Sequence, residues 1–510
     1  MLAVCQKNDS FVNENHRTGL EKNNSSYNQI LKSTSIFGGS QVITILIGLI
    51  RTKVIAILLG TAGVGIIGIF YSVIDMIRST CGMGLDTAGV KEIAEASNEN
   101  DKELLDKKIS KFNLWFKVCA VSGLLICLLF CYPISIWALD DSRYVPYIAC
   151  LSVSVFFAIL ATGRFTAMQG MRKIPEIAKA NIKGSLTGLL IAVPLYYFWG
   201  MESLAVAFIL TFAASYVCIE YYYRKQGVKR HPISLKESLV GSRETLKLGM
   251  FILISGFVGT LSMFLIRAYI TRNIDVHAAG LFQSAWTISN VYVGLVLRSM
   301  GSDFFPRLSA IAVAKEQVKK LVNEQSYIVL IIASPLVVGM LLFSDFALQL
   351  LYSSEFALAD DVLRWQILGT FLKVLGWPIS FILLAKNRGL TFLLSEILFY
   401  TTYLLSVYLL YPLYGLSATG ISYLIAYVVY LPAIYIIGYK ISGFCWNNKV
   451  IKMAGVNLIF TTAAFCISRF HVEYSWLWST LLMIVSVLYA YYKLKDVFSL
   501  DDLKNWFRKK

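Results

Sequence analysis

Apolar residues along this chain come in runs too long for a soluble fold. A helix needs about 20 mainly apolar residues to cross the hydrocarbon core of a bilayer. Stretches of that kind lie at 34–59, 65–84, 112–137, 145–169, 178–199 and 203–223, and, after a basic stretch, at 247–271, 281–301, 326–351, 362–385, 390–411 and 416–439. A last pair follows at 450–470 and 475–493. The pattern predicts an all-α polytopic membrane protein of 12–14 transmembrane helices. Its longest polar stretches, near 85–111 and 224–247, leave no room for a folded soluble domain. The polar face of 91–111 reads as a solvated loop helix rather than a site.

Composition sharpens this picture. The 510 residues are 57% apolar and 15% charged, with a mean hydropathy of +0.63. A soluble domain with that balance could not cover its surface with polar groups. The net charge of +16 suggests nucleic acid only until its placement is examined. With the N-terminus in the cytoplasm, most Lys and Arg fall in alternate polar segments: 91–111, 172–183, 224–247, 307–320 and the tail ending Arg508, Lys509, Lys510. Few, such as Arg143, Arg272 and Arg469, fall on the other side. Translocation disfavours cationic loops, so both termini are expected in the cytoplasm, facing anionic lipid, and no nucleic acid is needed.

The nine cysteines form no CxxC pair and the four histidines no HExxH cluster, so no metal is expected. There is no GxxxxGK[ST] loop for ATP, and no cofactor or catalytic set is expected. Residues 1 to 28 are polar and lack the apolar core of a secretory signal.

The chain repeats itself. Leu49-Ile50-Arg51 recurs as Leu265-Ile266-Arg267. Each copy is followed by a glycine opening the next helix (Gly65, Gly280), an arginine in that helix (Arg78, Arg298) and an aspartate at its end (Asp86, Asp303). Two parallel bundles are expected. The organisation is then 1–30 a disordered cytoplasmic tail, 31–224 an N-lobe of six helices, 225–246 a basic cytoplasmic linker, 247–440 a C-lobe of six helices, 441–495 two extra helices, and 496–510 a basic cytoplasmic tail.

The pattern Arg51…Leu59-Gly60…Gly65…Gly84-Leu85-Asp86…Lys91, with its second copy Arg267…Ala279-Gly280-Leu281-Phe282…Gly301-Ser302-Asp303-Phe304-Phe305-Pro306, resembles the multidrug, oligosaccharidyl-lipid and polysaccharide exporter superfamily. Within it the chain is most similar to the O-antigen flippases of the polysaccharide transporter branch, over roughly residues 30 to 440. The last two spans depart from the usual twelve and leave an arrangement like that of lipid II flippases open. The resemblance implies a multi-pass protein of the bacterial inner membrane with two lobes around a central cationic cavity. It implies alternating access for an undecaprenyl-diphosphate-linked oligosaccharide, beside a polysaccharide polymerase and glycosyltransferases as partners.

Charges at membrane depth test that cargo, because each costs roughly 2.5–3.5 kcal/mol at the bilayer centre. Asp75 and Arg78 are three apart and can neutralise each other. Lys53, Arg164 and Arg298 lie near span ends and can snorkel. Arg51, Arg267 and Lys373 have no acid within a turn, so their counter-charge comes from another helix or a ligand. Cations in the spans outnumber the acids Asp75 and Glu396, as a diphosphate requires. The expected substrate site is therefore Arg51, Arg78, Arg267 and Arg298, with Lys373. Asp75 and Glu396 are candidates for ion coupling, although Glu396 can also pair with Lys386 or Arg388. Tyrosines and tryptophans are expected mainly in interfacial belts. A polytopic glycosyltransferase or polymerase needs large external loops, and only short ones holding Asp140-Asp141 and Asp360-Asp361 are present. A drug exporter wants buried carboxylates.

Overall fold

The computed structural model describes residues 43–82, 85–98, 101–229, 231–232, 243–469 and 474–495. Both predicted tails, half of the linker and Gly84 lie outside the described residues. Helices in chain order are α1 Ile43–Gly82, α2 Leu85–Asn98, α3 Lys102–Leu129, α4 Cys131–Leu139, α5 Val145–Gly170, α6 Ile174–Trp199 and α7 Leu204–Arg224. The second half has α8 Arg243–Asn273, α9 Val276–Ala310, α10 Lys315–Leu342, α11 Ser344–Leu351, α12 Asp360–Ala385, α13 Gly389–Tyr414 and α14 Ala418–Ser442. Then come α15 Asn448–Arg469 and α16 Ser475–Lys495.

Among the described residues, ten helical stretches are long and apolar enough to cross a membrane. Three of them reverse direction at a glycine with positive φ: Gly60 at 62°, Gly200 at 52° and Gly415 at 51°. Only glycine adopts that left-handed backbone without a Cβ penalty. With those reversals the ten stretches give thirteen candidate spans among the described residues, and the 35-residue α9 adds a fourteenth helix of spanning length. Several helices outrun the apolar runs that announce them. α3 starts at Lys102 rather than 112, capped by the Asp101 side chain accepting from the Glu103 and Leu104 amides. Hydropathy senses only the lipid-facing turns, whereas the backbone ladder continues into water. The expected loop helix over 91–111 is thus two pieces, α2 and the first turns of α3, joined where Lys108 donates to Glu92 at 3.0 Å.

The two halves are one unit used twice. α5 and α12 begin 215 residues apart and end 215 residues apart (145 and 360, 170 and 385). α6 and α13 keep that offset, each 26 residues long. Even the left-handed residues before them, Arg172 and Asn387, both at φ 56°, are 215 apart. α3, α5 and α7 pack together, as do α10, α12 and α14, while α15 and α16 lean on α10. By this offset the mate of Arg78 is Val293 rather than Arg298, that of Arg51 is Ile266 rather than Arg267 and that of Asp86 is Gly301 rather than Asp303, which corrects those parts of the sequence repeat.

Arg164 does not snorkel. It is buried in the N-lobe, where Nε donates to Glu220 at 2.5 Å, Nη1 to Asn113, and the guanidinium lies 4.5 Å over the Tyr223 ring. Glu220 also accepts from Arg224 at 2.8 Å, so it is a third acid within a span, beyond the two counted from sequence. Breaking a buried pair costs about 3–5 kcal/mol because the remaining charge is stranded. Arg164→Ala is therefore expected to lower the melting temperature of purified protein far more than Arg143→Ala, whose partner Asp141 sits in an exposed turn. Equal losses in thermal unfolding would refute that ranking.

Candidate functional site

The repeat places its own mates against each other. A Cβ on Gly280 would overlap the Thr61 carbonyl oxygen, and one on Gly65 would run into the Val276 carbonyl, with the Gly280 amide 2.9 Å away. One turn further on, a Cβ on Gly68 would sit 2.8 Å from Gln283 Oε1. Gly65 and Gly280, and Gly68 and Gln283, are each 215 residues apart, so a pseudo-twofold axis runs between α1 and α9. The same end of the molecule is closed by three further contacts between halves. The Thr61 hydroxyl and His277 Nδ1 are 2.7 Å apart. Lys53 donates to the Gln349 carbonyl at 2.8 Å, instead of snorkelling. Arg272 pairs with Asp140 at 3.5 Å.

Below this seam lies a 430 Å³ cavity between the halves, lined from α1 by Tyr71, Ser72 and Asp75, from α8 by Ser255 to Arg267, from α9 by Gln283 and Trp286, and from α13 by Glu396 and Tyr400. Arg267 is 7% exposed and is held from both sides. Its Nε donates to Gln283 Oε1 at 2.9 Å, and its Nη1 donates across the lobes to Ser72 Oγ at 2.8 Å. The guanidinium also sits 5.9 Å from the Phe282 ring centre. A guanidinium has five N–H donors, and Nη2 makes no hydrogen bond among the described residues.

The predicted site residues separate into those this cavity gathers and those it does not. Asp75 lines it and carries Arg78 at 3.0 Å, both side chains about half exposed. Asp75 also lies within electrostatic reach of Arg267, so the counter-charge of Arg267 comes from the other lobe. Glu396 lines the cavity and accepts from the Tyr430 hydroxyl at 3.4 Å, with Lys373 as its charged neighbour; neither Lys386 nor Arg388 pairs with it among the described residues. Lys373 itself donates to Asn290 Oδ1 at 3.1 Å, and Asn290 is the repeat mate of Asp75. Arg51 stands one layer back, beside Tyr71 and Tyr196, with Nε buried and unbonded among the described residues. Arg298 lies on α9, with its side chain outside the described ones.

Sequence reasoning missed Ser72, Gln283 and a tyrosine cluster. Gln283 was legible, being an uncharged polar residue one turn after Gly280 in an apolar helix. The tyrosines expected in belts include Tyr403, Tyr423, Tyr427 and Tyr430, which are buried in the C-lobe around Phe399. Period alone does not tell an inward tyrosine from an interfacial one.

Two repeated six-helix lobes meeting over a polar cavity, with two helices added, define a polytopic transporter rather than an enzyme. The chain matches the polysaccharide biosynthesis protein family over residues 54–359 and belongs to it. It is 23% identical to the lipid III flippase of Escherichia coli (strain K12) over 409 residues, 79% of this chain and 96% of that one, and equally to that of Shigella flexneri. Among solved structures it shares the fold of the lipid II flippase MurJ in an inward closed conformation, with a TM-score of 0.68 at 15% identity, covering 90% of this chain and 98% of that one. An inward-facing multidrug resistance MATE family transporter of the MOP superfamily gives 0.66 at 18% identity, covering 78% and 96%.

Proposed function

We propose that this protein is an inner-membrane flippase that moves an undecaprenyl-diphosphate-linked oligosaccharide, an O-antigen or similar surface-polysaccharide unit, from the cytoplasmic to the external face. The observation that carries this reading is Arg267, a buried guanidinium held by both lobes and lining the cavity with donors to spare. A diphosphate offers acceptor oxygens matched to that fork. Arg78 adds charge at the half-exposed edge, and Lys373 and Arg51 adjust the field from behind Asn290 and Tyr71. Arg298 is assigned to the same pathway along α9. The lipid tail stays in the bilayer, so only the head group needs the cavity. Charge placement supports a cytoplasmic position for both termini, with the Gly65–Gly280 seam on the external side. The similarity to lipid III flippases supports the cargo class, and a polymerase and glycosyltransferases are the partners such a product implies.

We assign Asp75 and Glu396 to ion coupling, since each is a carboxylate lining the cavity with a cation as its charged neighbour. The same two carboxylates favour a second reading, export of a cationic drug. Proteoliposomes containing the purified chain and a fluorescent short-chain lipid-diphosphate glycan separate them. The expected result is gradient-dependent appearance of the glycan on the opposite face, with Glu396→Gln transport losing its response to the imposed ion gradient. Transport of a cationic dye in place of the glycan would reverse the assignment.

A further inference from the structure

A second cavity, 1230 Å³, lies where α15 and α16 pack on α10, and it shares no lining residue with the first. Lys319 and Lys320 enter it from the start of α10, Lys449 and Lys452 from the start of α15, and Lys493 from the end of α16. Two glutamates, Glu316 and Glu324, leave the lining cationic. The lysines occupy the same end of all three helices. Two turns down α10, about 12 Å at 1.5 Å per residue, the lining becomes Ile328; down α15 it becomes Met453, Val456 and Ile459. Ile459 is 67% exposed, so the apolar part opens sideways to the surroundings of the helices. A ring of cations above an apolar slot open to lipid has the shape of an amphiphile with an anionic head.

The walls are fixed. Asn323 donates to the Cys445 carbonyl at 3.0 Å and accepts from the Asn447 amide at 2.8 Å, which staples the segment before α15 to α10. Asn457 donates to the Leu330 carbonyl at 3.1 Å, which pins α15 along its length. Lys319, Lys320, Lys449 and Lys452 form no ion pair among the described residues, while Lys493 rests on the Tyr489 and Tyr492 rings, 5.9 and 5.2 Å from their centres. Glu316 and Glu324 offset part of the repulsion among these ammonium groups, and an anion seated among them relieves the rest.

We propose that α10, α15 and α16 form a binding site for the head group of an anionic phospholipid, at which a two-phosphate lipid binds more tightly than a one-phosphate lipid. The five lysines and two glutamates sum to three positive charges, enough for both phosphates. The acyl chains lie along Ile328, Val456 and Ile459. This site is separate from the cargo cavity and gives the two added helices a role of their own.

Native mass spectrometry of the purified full chain tests the proposal. Cardiolipin, phosphatidylglycerol, phosphatidylcholine and inorganic phosphate are titrated in a zwitterionic background. Cardiolipin is expected to bind at least tenfold more tightly than phosphatidylcholine, and more tightly than phosphatidylglycerol. K319Q/K320Q/K449Q/K452Q is expected to lose at least tenfold in cardiolipin affinity, while the corresponding four-arginine variant retains it and Arg267→Ala leaves it unchanged. An equal lipid-free melting temperature for the glutamine and arginine variants shows that the loss is not unfolding, and the milder K449Q/K452Q pair serves if the fourfold variant is unstable. Equal binding of phosphatidylcholine, an unaffected glutamine variant, loss of binding in Arg267→Ala, or displacement of lipid by equimolar inorganic phosphate would each overturn the site.

Discussion

Arg267→Ala is expected to reduce glycan transport by more than about a hundredfold while the protein remains in the membrane at normal amounts. A charge-assisted hydrogen bond contributes about 1.5–3 kcal/mol, and each 1.4 kcal/mol is a factor of ten in binding. Two such bonds to a diphosphate therefore suffice for that loss. Arg267→Lys keeps the charge but not the fork, because an ammonium cannot serve Gln283, Ser72 and a phosphate in one plane. It is expected to fall between the two, whereas Ser72→Ala, which removes the contact across the lobes together with the hydroxyl's bond to the Gly68 carbonyl, is expected to change transport least. The check is initial-rate transport in vesicles normalised to protein. Full activity in Arg267→Ala would remove the cavity from the transport path.

Gly280→Val should be as damaging by a different route. A single Cβ at this position already meets the Thr61 carbonyl, so α1 and α9 must separate before the side chain fits. The variant is expected to leave the seam open, with transport below about a tenth of wild type, since uncoupled access defeats alternation. A cysteine placed at Thr61 would then react faster with a membrane-impermeant maleimide in the Gly280→Val background than in the parent. Gly48→Ala is the contrasting case: nothing lies within 4 Å of a Cβ there, and a helical Gly→Ala change in open space stabilises by up to about 1 kcal/mol. Equal reactivity at position 61 in both backgrounds would show that the glycine crossing is not what keeps this end shut.

Much of the fold was legible because lipid is a severe solvent. Backbone groups inside it must bond within the helix, so each apolar run had one structural answer, and among the described residues fourteen helices of spanning length emerged near where hydropathy put them. The repeat was legible at Gly65 and Gly280 for a related reason: backbone contact leaves no alternative to glycine. It was misread at Arg78 and Arg298 because side chains at a lobe interface are free to diverge once the backbone geometry is kept. The candidate site was harder to read. Sequence marks which charges are costly but not which helix answers them, and the neighbours of Arg267 come from α1 and α9, those of Glu396 from α12 and α14. Arg164 shows the same blindness: its partner Glu220 lies 56 residues away, beyond any local pattern. Lys53 found a carbonyl 296 residues away that no motif announces.

The glycine seam also bears on how fast such a machine can cycle. Where two surfaces close through interdigitating side chains, every closure must freeze rotamers, at up to about 2 kcal/mol for the longest chains. Bare backbone has none to freeze at Gly65 and Gly280. The two helices can part and meet again like rods with a polished notch, and the side chains left to re-sort on each stroke are those around the crossing, Lys53, Thr61 and Arg272 with their partners.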